Sequence, residues 1–265
     1  MERRRFVALL SASVCVSGAG CVGSTQTDDG SGVVGRLPAE ATTGFGYVDV
    51  TDVRAHETLN ARDYAQSRLF ANTPGIEVSD LDGVVSFGER RATASAVGEF
   101  DVSDVSSALE SEGFSESTSR RGYRVFESVN GRFLAVDETR CVSSGAGPDA
   151  VRRTVDALEG DGVTAVDFDA DFAALVDGLS DGGGTFVTGA VVGEGRVVAR
   201  GKRVEVEAGD ATARVTLVHV FDTEQVAANR TASLNTTAKD RIRGPTAEND
   251  GRTVTVTGEV DVDRL

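Results

Sequence analysis

Residues 98–132 read GEFDVSDVSSALESEGFSESTSRRGYRVFESVNGR, and residues 219–252 read HVFDTEQVAANRTASLNTTAKDRIRGPTAENDGR. In each, a strand ends in Phe-Asp (Phe100-Asp101, Phe221-Asp222) and a helical stretch follows. A strand comes next, then an Asx-Gly-Arg turn (Asn130-Gly131-Arg132, Asp250-Gly251-Arg252) and a further strand. Asn-Gly closes tight hairpins because both residues tolerate positive φ. The Phe-to-Gly separations are 31 and 30 positions. Matched order and spacing predict an internal duplication. The fold class that follows is α+β: two similar lobes of antiparallel sheet with helices packed on one face.

Upstream of the first copy, Thr51–Ala71 carries Val53, Leu59, Tyr64 and Leu69 in a helical pattern and stops before the turn Thr73-Pro74-Gly75. Strands are expected at Gly83–Phe87, Ala92–Phe100, Arg121–Val129, Arg132–Val136 and Arg140–Ser144. A helix starting at Asp101 or Ser103 stops at Gly113, and Gly147-Pro148 opens a helix to Leu158. The second half offers a helix at Asp169–Leu179, strands at Thr185–Val192, Arg196–Val206 and Ala211–Phe221, and a helix from Asp222 or Thr223 to about Ala232. Strands near Arg241–Ala247 and Arg252–Val262 close the chain. In the last, Val254, Val256, Val260 and Val262 alternate with Thr255, Thr257, Glu259 and Asp261, as in a sheet packed on one side and wet on the other. The lobes are placed at 37–160 and 161–265.

The chain has 265 residues, of which 40% are hydrophobic and 26% charged, so it can bury a core. Asp+Glu number 42 against 27 Lys+Arg, a net charge of −15, which disfavours nucleic acid as a partner. Lys202 and Lys239 are the only lysines, Trp is absent, and Met1 is the only methionine. High acid content with scarce lysine reads as adaptation to concentrated salt, where dense carboxylates keep a surface hydrated.

Residues 1–21, MERRRFVALLSASVCVSGAGC, have the layout of an export signal at 1–20: a basic cluster, an apolar run from Phe6 to about Val16, then small residues. The apolar run is shorter than the ~20 residues of a membrane-spanning helix. Arg3-Arg4-Arg5-Phe6-Val7 matches the twin-arginine pattern, in which Arg3, Arg4 and Phe6 carry the signal. Gly18-Ala19-Gly20-Cys21 resembles a lipoprotein cleavage box, with Gly18 standing where the family form has an aliphatic residue. Residues 22–36 are rich in Gly, Ser, Thr and Asp, so 21–36 reads as a flexible tether. Together with the composition, these residues resemble haloarchaeal twin-arginine-exported lipoproteins of uncharacterised function. The resemblance implies lipidation of Cys21, with the membrane as partner and the extracytoplasmic face as location. Plain secretion with cleavage near Ala19 is the alternative.

The body carries no strong catalytic motif. Cys141 lies in an alternating apolar stretch and reads as a small buried residue. Asp167, Asp169 and Asp171 open like a calcium loop, but the sixth position is Phe172 and the twelfth Gly178, where Gly and Glu are needed; Asp169 reads as a helix cap. His219 is expected on the core side of its strand and His56 exposed on a polar helix; two unclustered histidines are too few for zinc. The glycines at 182–184 and 193–195 lead into strands and read as turns. Asn229 and Asn235 begin N-glycosylation sequons, expected at a helix end and the loop after it. No cofactor or metal is expected. The favoured function is a non-enzymatic, membrane-anchored binding or interaction module that presents a sheet face or an interlobe groove, for example to another cell-surface protein. A solute-binding lipoprotein is the alternative, marked by a pocket between the lobes. A carboxylate-dependent hydrolase comes third, marked by clustered carboxyls with raised pKa in a cleft.

Overall fold

The computed structural model describes residues 30–56, 59, 70, 73–180, 184–192, 196–207 and 209–265. The export motif at Arg3, Arg4 and Phe6, the lipidation site Cys21 and most of the helix expected beyond Ala55 lie outside the described residues. The strands are β1 (Phe45–Asp49), β2 (Leu81–Phe87), β3 (Thr93–Gly98), β4 (Phe114–Arg120), β5 (Tyr123–Ser128), β6 (Phe133–Val136), β7 (Arg140–Ser144), β8 (Phe186–Val191), β9 (Val197–Glu205), β10 (Thr212–Phe221), β11 (Arg243–Asp250) and β12 (Thr253–Asp261). The helices are α1 (Gly30–Gly35), α2 (Val50–Ala55), α3 (Val102–Ser111), α4 (Pro148–Leu158), α5 (Ala165–Phe168), α6 (Ala170–Leu179) and α7 (Glu224–Ala238). The fold is α+β, built on one large antiparallel sheet ordered β11-β12-β10-β9-β8-β1-β2-β3-β7-β6-β5-β4.

The helix starts were legible. Asp101 Oδ1 accepts from the backbone N–H groups of Ser103 and Asp104 at 2.9 and 3.0 Å. Asp169 Oδ1 accepts from Asp171 and Phe172 at 2.8 and 2.9 Å. Pro148 takes the first turn of α4. Each satisfies or avoids donors a helix start leaves bare.

Two three-stranded meanders, β1-β2-β3 and β8-β9-β10, meet where β1 pairs with β8 in antiparallel register, Phe45 opposite Gly189 and Tyr47 opposite Val187. That arrangement has a pseudo-twofold axis perpendicular to the sheet between β1 and β8, which preserves the two faces. Helices α1 and α6 precede their meanders on one face, face A, and α3 and α7 follow theirs on the other, face B. On face A, Phe172, Leu175 and Leu179 of α6 pack with Val33, Val34, Phe45, Tyr47, Val218 and Val220. On face B, Val105 and Leu109 of α3 pack with Phe126, Leu134 and Cys141, and Ala227 and Ala238 of α7 pack with Val254 and Val256. The topology thus carries the duplication.

Several expectations need correction. Helices cover both faces, not one, because the central strands are apolar on both sides: Val215 and Val218 of β10 point oppositely and both are buried. The two halves share one sheet and one face-A cluster, which runs across the boundary at residue 160. The Asx-Gly-Arg hairpins are not equivalent: β12 lies beside β10, whereas β7 separates the β5–β6 hairpin from β3. The tether reading fails for its last residues, since α1 buries Val33 and Val34 in the core. Helix α7 continues six residues past Ala232, because Thr236 and Thr237 turn their hydroxyls onto the carbonyls of Ala232 and Ser233 and Ala238 is buried.

Both sheet ends are polar. The outer strand β4 reads FSESTSR and carries a bulge at Glu116–Thr118; the outer strand β11 contains Pro245 and a bulge at Arg243–Thr246. Bulges, charge and proline blunt an open sheet edge against pairing with another chain.

Candidate site: a cationic groove across the sheet junction

Helix α2 follows β1 and packs Val50 and Val53 onto face B against Val48 and Val84. Its pseudo-twofold counterpart would follow β8 and cover the end of β8 and the start of β9. Only residues 192–196 connect those strands, and no helix stands in that place among the described residues. The uncovered sheet forms the floor of a groove of about 640 Å³ that spans the junction of the two halves.

Residue types follow the loss of cover. Where β2 presents Val84 to α2, β9 presents Arg200 and Lys202 to solvent. Arg200 lies opposite His219 of β10, and Lys202 lies between Thr188 of β8 and Leu217 of β10. Directly opposed side chains stand about 5 Å apart, and Arg200 and Lys202, two residues apart on β9, about 7 Å. Arg90 and Arg91, in the β2–β3 turn, form a second wall, and Arg241, just after α7, a third. Arg90 and Arg91 both sit at positive φ, 53° and 54°. Two successive non-glycine residues in the left-handed region cost free energy that other residues would avoid.

Carboxylates outnumber cations in this chain, and many arginines elsewhere find them, although Arg196, Arg214 and Arg230 do not among the described residues. Arg120 grips Asp156 with contacts of 2.6–3.1 Å, Arg124 meets Glu116 at 2.5 Å, and Arg153 meets Glu40 at 2.5 Å. Arg90, Arg91, Arg200, Lys202 and Arg241 make no ion pair and no side-chain hydrogen bond among the described residues. Crowding lowers the pKa of Lys202 through desolvation, although its side chain reaches solvent. His219 is half-buried and its Nδ1 has no hydrogen-bond partner. Burial first, and the Arg200 charge second, hold it below the ordinary histidine value, so at neutral pH it is an uncharged ring. It shares its face with Leu217, as expected, but that face opens into the groove.

The other sequence candidates fall outside the groove. Cys141 is fully buried, and desolvation raises its thiol pKa well above the ordinary value, which leaves it protonated and inert. His56, expected in solvent, is buried and its Nε2 lies 3.0 Å from the carbonyl oxygen of Asp210. Burial raises the pKa of Asp49, whose oxygen caps α2 by accepting from Asp52 N–H at 2.8 Å. Asp49 lines neither the groove nor the pockets at the β2–β3 turn and beside α6. Asn229 and Asn235 both lie within α7, Asn229 exposed and Asn235 half-buried. Among the described residues no cluster of His, Cys, Asp and Glu suits a metal ion, and no helix is long and apolar enough to cross a membrane.

Sequence reasoning missed the groove because it judged motifs one at a time. The signal was present as Arg200 and Lys202 alternating on one strand, but only sheet order brings Arg90 and Arg91 to them.

No protein-family model matches the chain, and no curated protein matches it. The comparison with solved structures defines a fold class only. Two crystal forms of a protein named TP0453 are similar at 12% identity, covering 88% of this chain and 94% of theirs; form I gives a TM-score of 0.48 and form IV 0.51. The form IV likeness supports the α+β sheet architecture and nothing about function.

Proposed function

We propose that the protein is a lipid-anchored extracytoplasmic binding module, not an enzyme, and that the cationic groove holds its anionic ligand. The observation that carries the reading is the convergence of five cations, none ion-paired among the described residues, around one groove on the sheet in a chain of net charge −15. What sets these charges apart from other cations without an ion pair among the described residues, such as Arg214 and Arg230, is that they gather around one groove, where a single anion gains contacts to several of them. The groove lies where β1 of the first half pairs with β8 of the second, which is consistent with a site shared by the two halves. The anchor rests on Cys21 and the residues before it.

Two measurements test this. Cys21→Ser is expected to move the protein from the membrane fraction to the medium; undiminished membrane retention overturns the anchor. For the groove, thermal unfolding is followed with tripolyphosphate, dextran sulfate and polyglutamate. At least one is expected to raise Tm, since a ligand bound only by the folded chain stabilises it. The rise is lost in Arg200→Gln/Lys202→Gln. No shift with any of the three overturns the binding role of the groove.

A further inference from the structure

We infer that the groove recognises a ligand carrying at least two phosphoryl groups; this rests on the anion-binding reading above. Four of its five cations are arginines. A guanidinium presents a planar fork of donors that matches two oxygens of one anionic group, and a phosphoryl group offers up to three terminal oxygens and up to two charges in a compact volume. A lone carboxylate saturates one such fork, so four arginines call for an acceptor-rich ligand.

The cations are also divided among separate elements. Arg90 and Arg91 come from the β2–β3 turn, Arg200 and Lys202 from β9, and Arg241 from the segment after α7. The volume, about 640 Å³, is many times that of one phosphate. One phosphoryl group at the Arg200–Lys202 pair leaves the turn arginines without an anion, and a second one satisfies them. Neutral His219, opposite Arg200, adds a ring N–H or a lone pair according to its tautomer. Among the described residues that line the groove, Phe45 is 1% exposed and the half-buried His219 is the other ring, so no pair of exposed aromatic faces is available to sandwich a base. The recognised chemistry is therefore the phosphoryl groups themselves.

Titration calorimetry on the mature chain carrying Cys21→Ser tests this with tripolyphosphate, orthophosphate and polyglutamate. Tripolyphosphate is expected to bind at least tenfold tighter than either of the others. Arg90→Gln/Arg91→Gln is expected to weaken tripolyphosphate at least tenfold while changing orthophosphate less than threefold. Arg264→Gln, remote from the groove, serves as the folding and charge control. Polyglutamate binding as tightly as tripolyphosphate overturns the phosphoryl inference and leaves an anion groove standing. No binding of any probe overturns both. Vesicles of a zwitterionic lipid, with and without a lipid whose headgroup bears two phosphates, separate the sources. Binding to the doped vesicles that tripolyphosphate displaces assigns a lipid head, and tripolyphosphate binding without vesicle binding assigns a soluble ligand.

Discussion

At the scale of single residues, the described histidines show why side-chain type alone misleads. His56 looked solvent-exposed because Glu57 and other polar residues surround it in sequence. Its partner, the Asp210 carbonyl, is 154 positions away and belongs to the other half. No local pattern encodes such a contact. His219 was placed on the correct face by alternation, but whether that face is covered depends on a helix that has no counterpart among the described residues. Its lowered pKa has a signed consequence. Unfolded, His219 titrates near 6.5; folded, it titrates lower. Above 6.5 both states are neutral at this site. As pH falls from 6.5 toward the folded value, the unfolded chain takes its proton first, so stability drops across that window. Denaturant midpoints at pH 7.5 and 5.5 are expected to differ less in His219→Gln than in the parent. A His219 resonance that titrates at or above 6.5 in the ligand-free chain contradicts this. Cys141 was read correctly because burial of a small apolar residue leaves a local trace, the alternation around it.

At the scale of elements, apolar alternation placed most strands within a residue or two. It missed β1 and β4 for opposite reasons. Strand β4 is polar on both faces because it is an outer strand, so it carries no hydrophobic period. Strand β1 is short, and four of its five residues are buried, so it carries no alternation. Packing of α6 on the sheet depends on two glycines that pattern reading passes over. A Cβ on Gly201 meets Leu179 Cδ1 at 2.7 Å and Leu175 Cδ1 at 2.9 Å, and one on Gly189 meets Phe45 Cε1 at 2.7 Å. Gly201→Val therefore lifts the helix from the strands and is expected to destabilise the fold by about 1–3 kcal/mol. Urea unfolding measures it; a loss below about 0.5 kcal/mol, the range of an ordinary surface change, means that the helix does not rest on that strand as described.

At the scale of the molecule, the duplication was legible and its closure was not. Repeated Phe-Asp and Asx-Gly-Arg signals suggested two bodies, but hydrogen bonding from β1 to β8 leaves neither half a free edge at the junction. The face-A cluster draws Phe45 and Phe87 from one half and Phe172 and Val218 from the other. Separating residues 37–160 from 161–265 exposes that shared apolar surface and an unpaired central strand. Calorimetry is expected to show one transition for the whole chain, with the calorimetric and van't Hoff enthalpies equal. Two resolved transitions mean that the halves fold independently. The groove belongs to this scale as well. It exists because one element of the first half, the helix after its first strand, has no counterpart among the described residues of the second.

The burial of Val33 and Val34 in α1 also sets a distance. If Cys21 carries the lipid, nine residue steps separate it from Gly30, where the helix begins, and they span at most about 30 Å. The body then rides on a short leash, close over the bilayer and unable to sample the space beyond it. What it can catch is set as much by that height as by the chemistry of its surface.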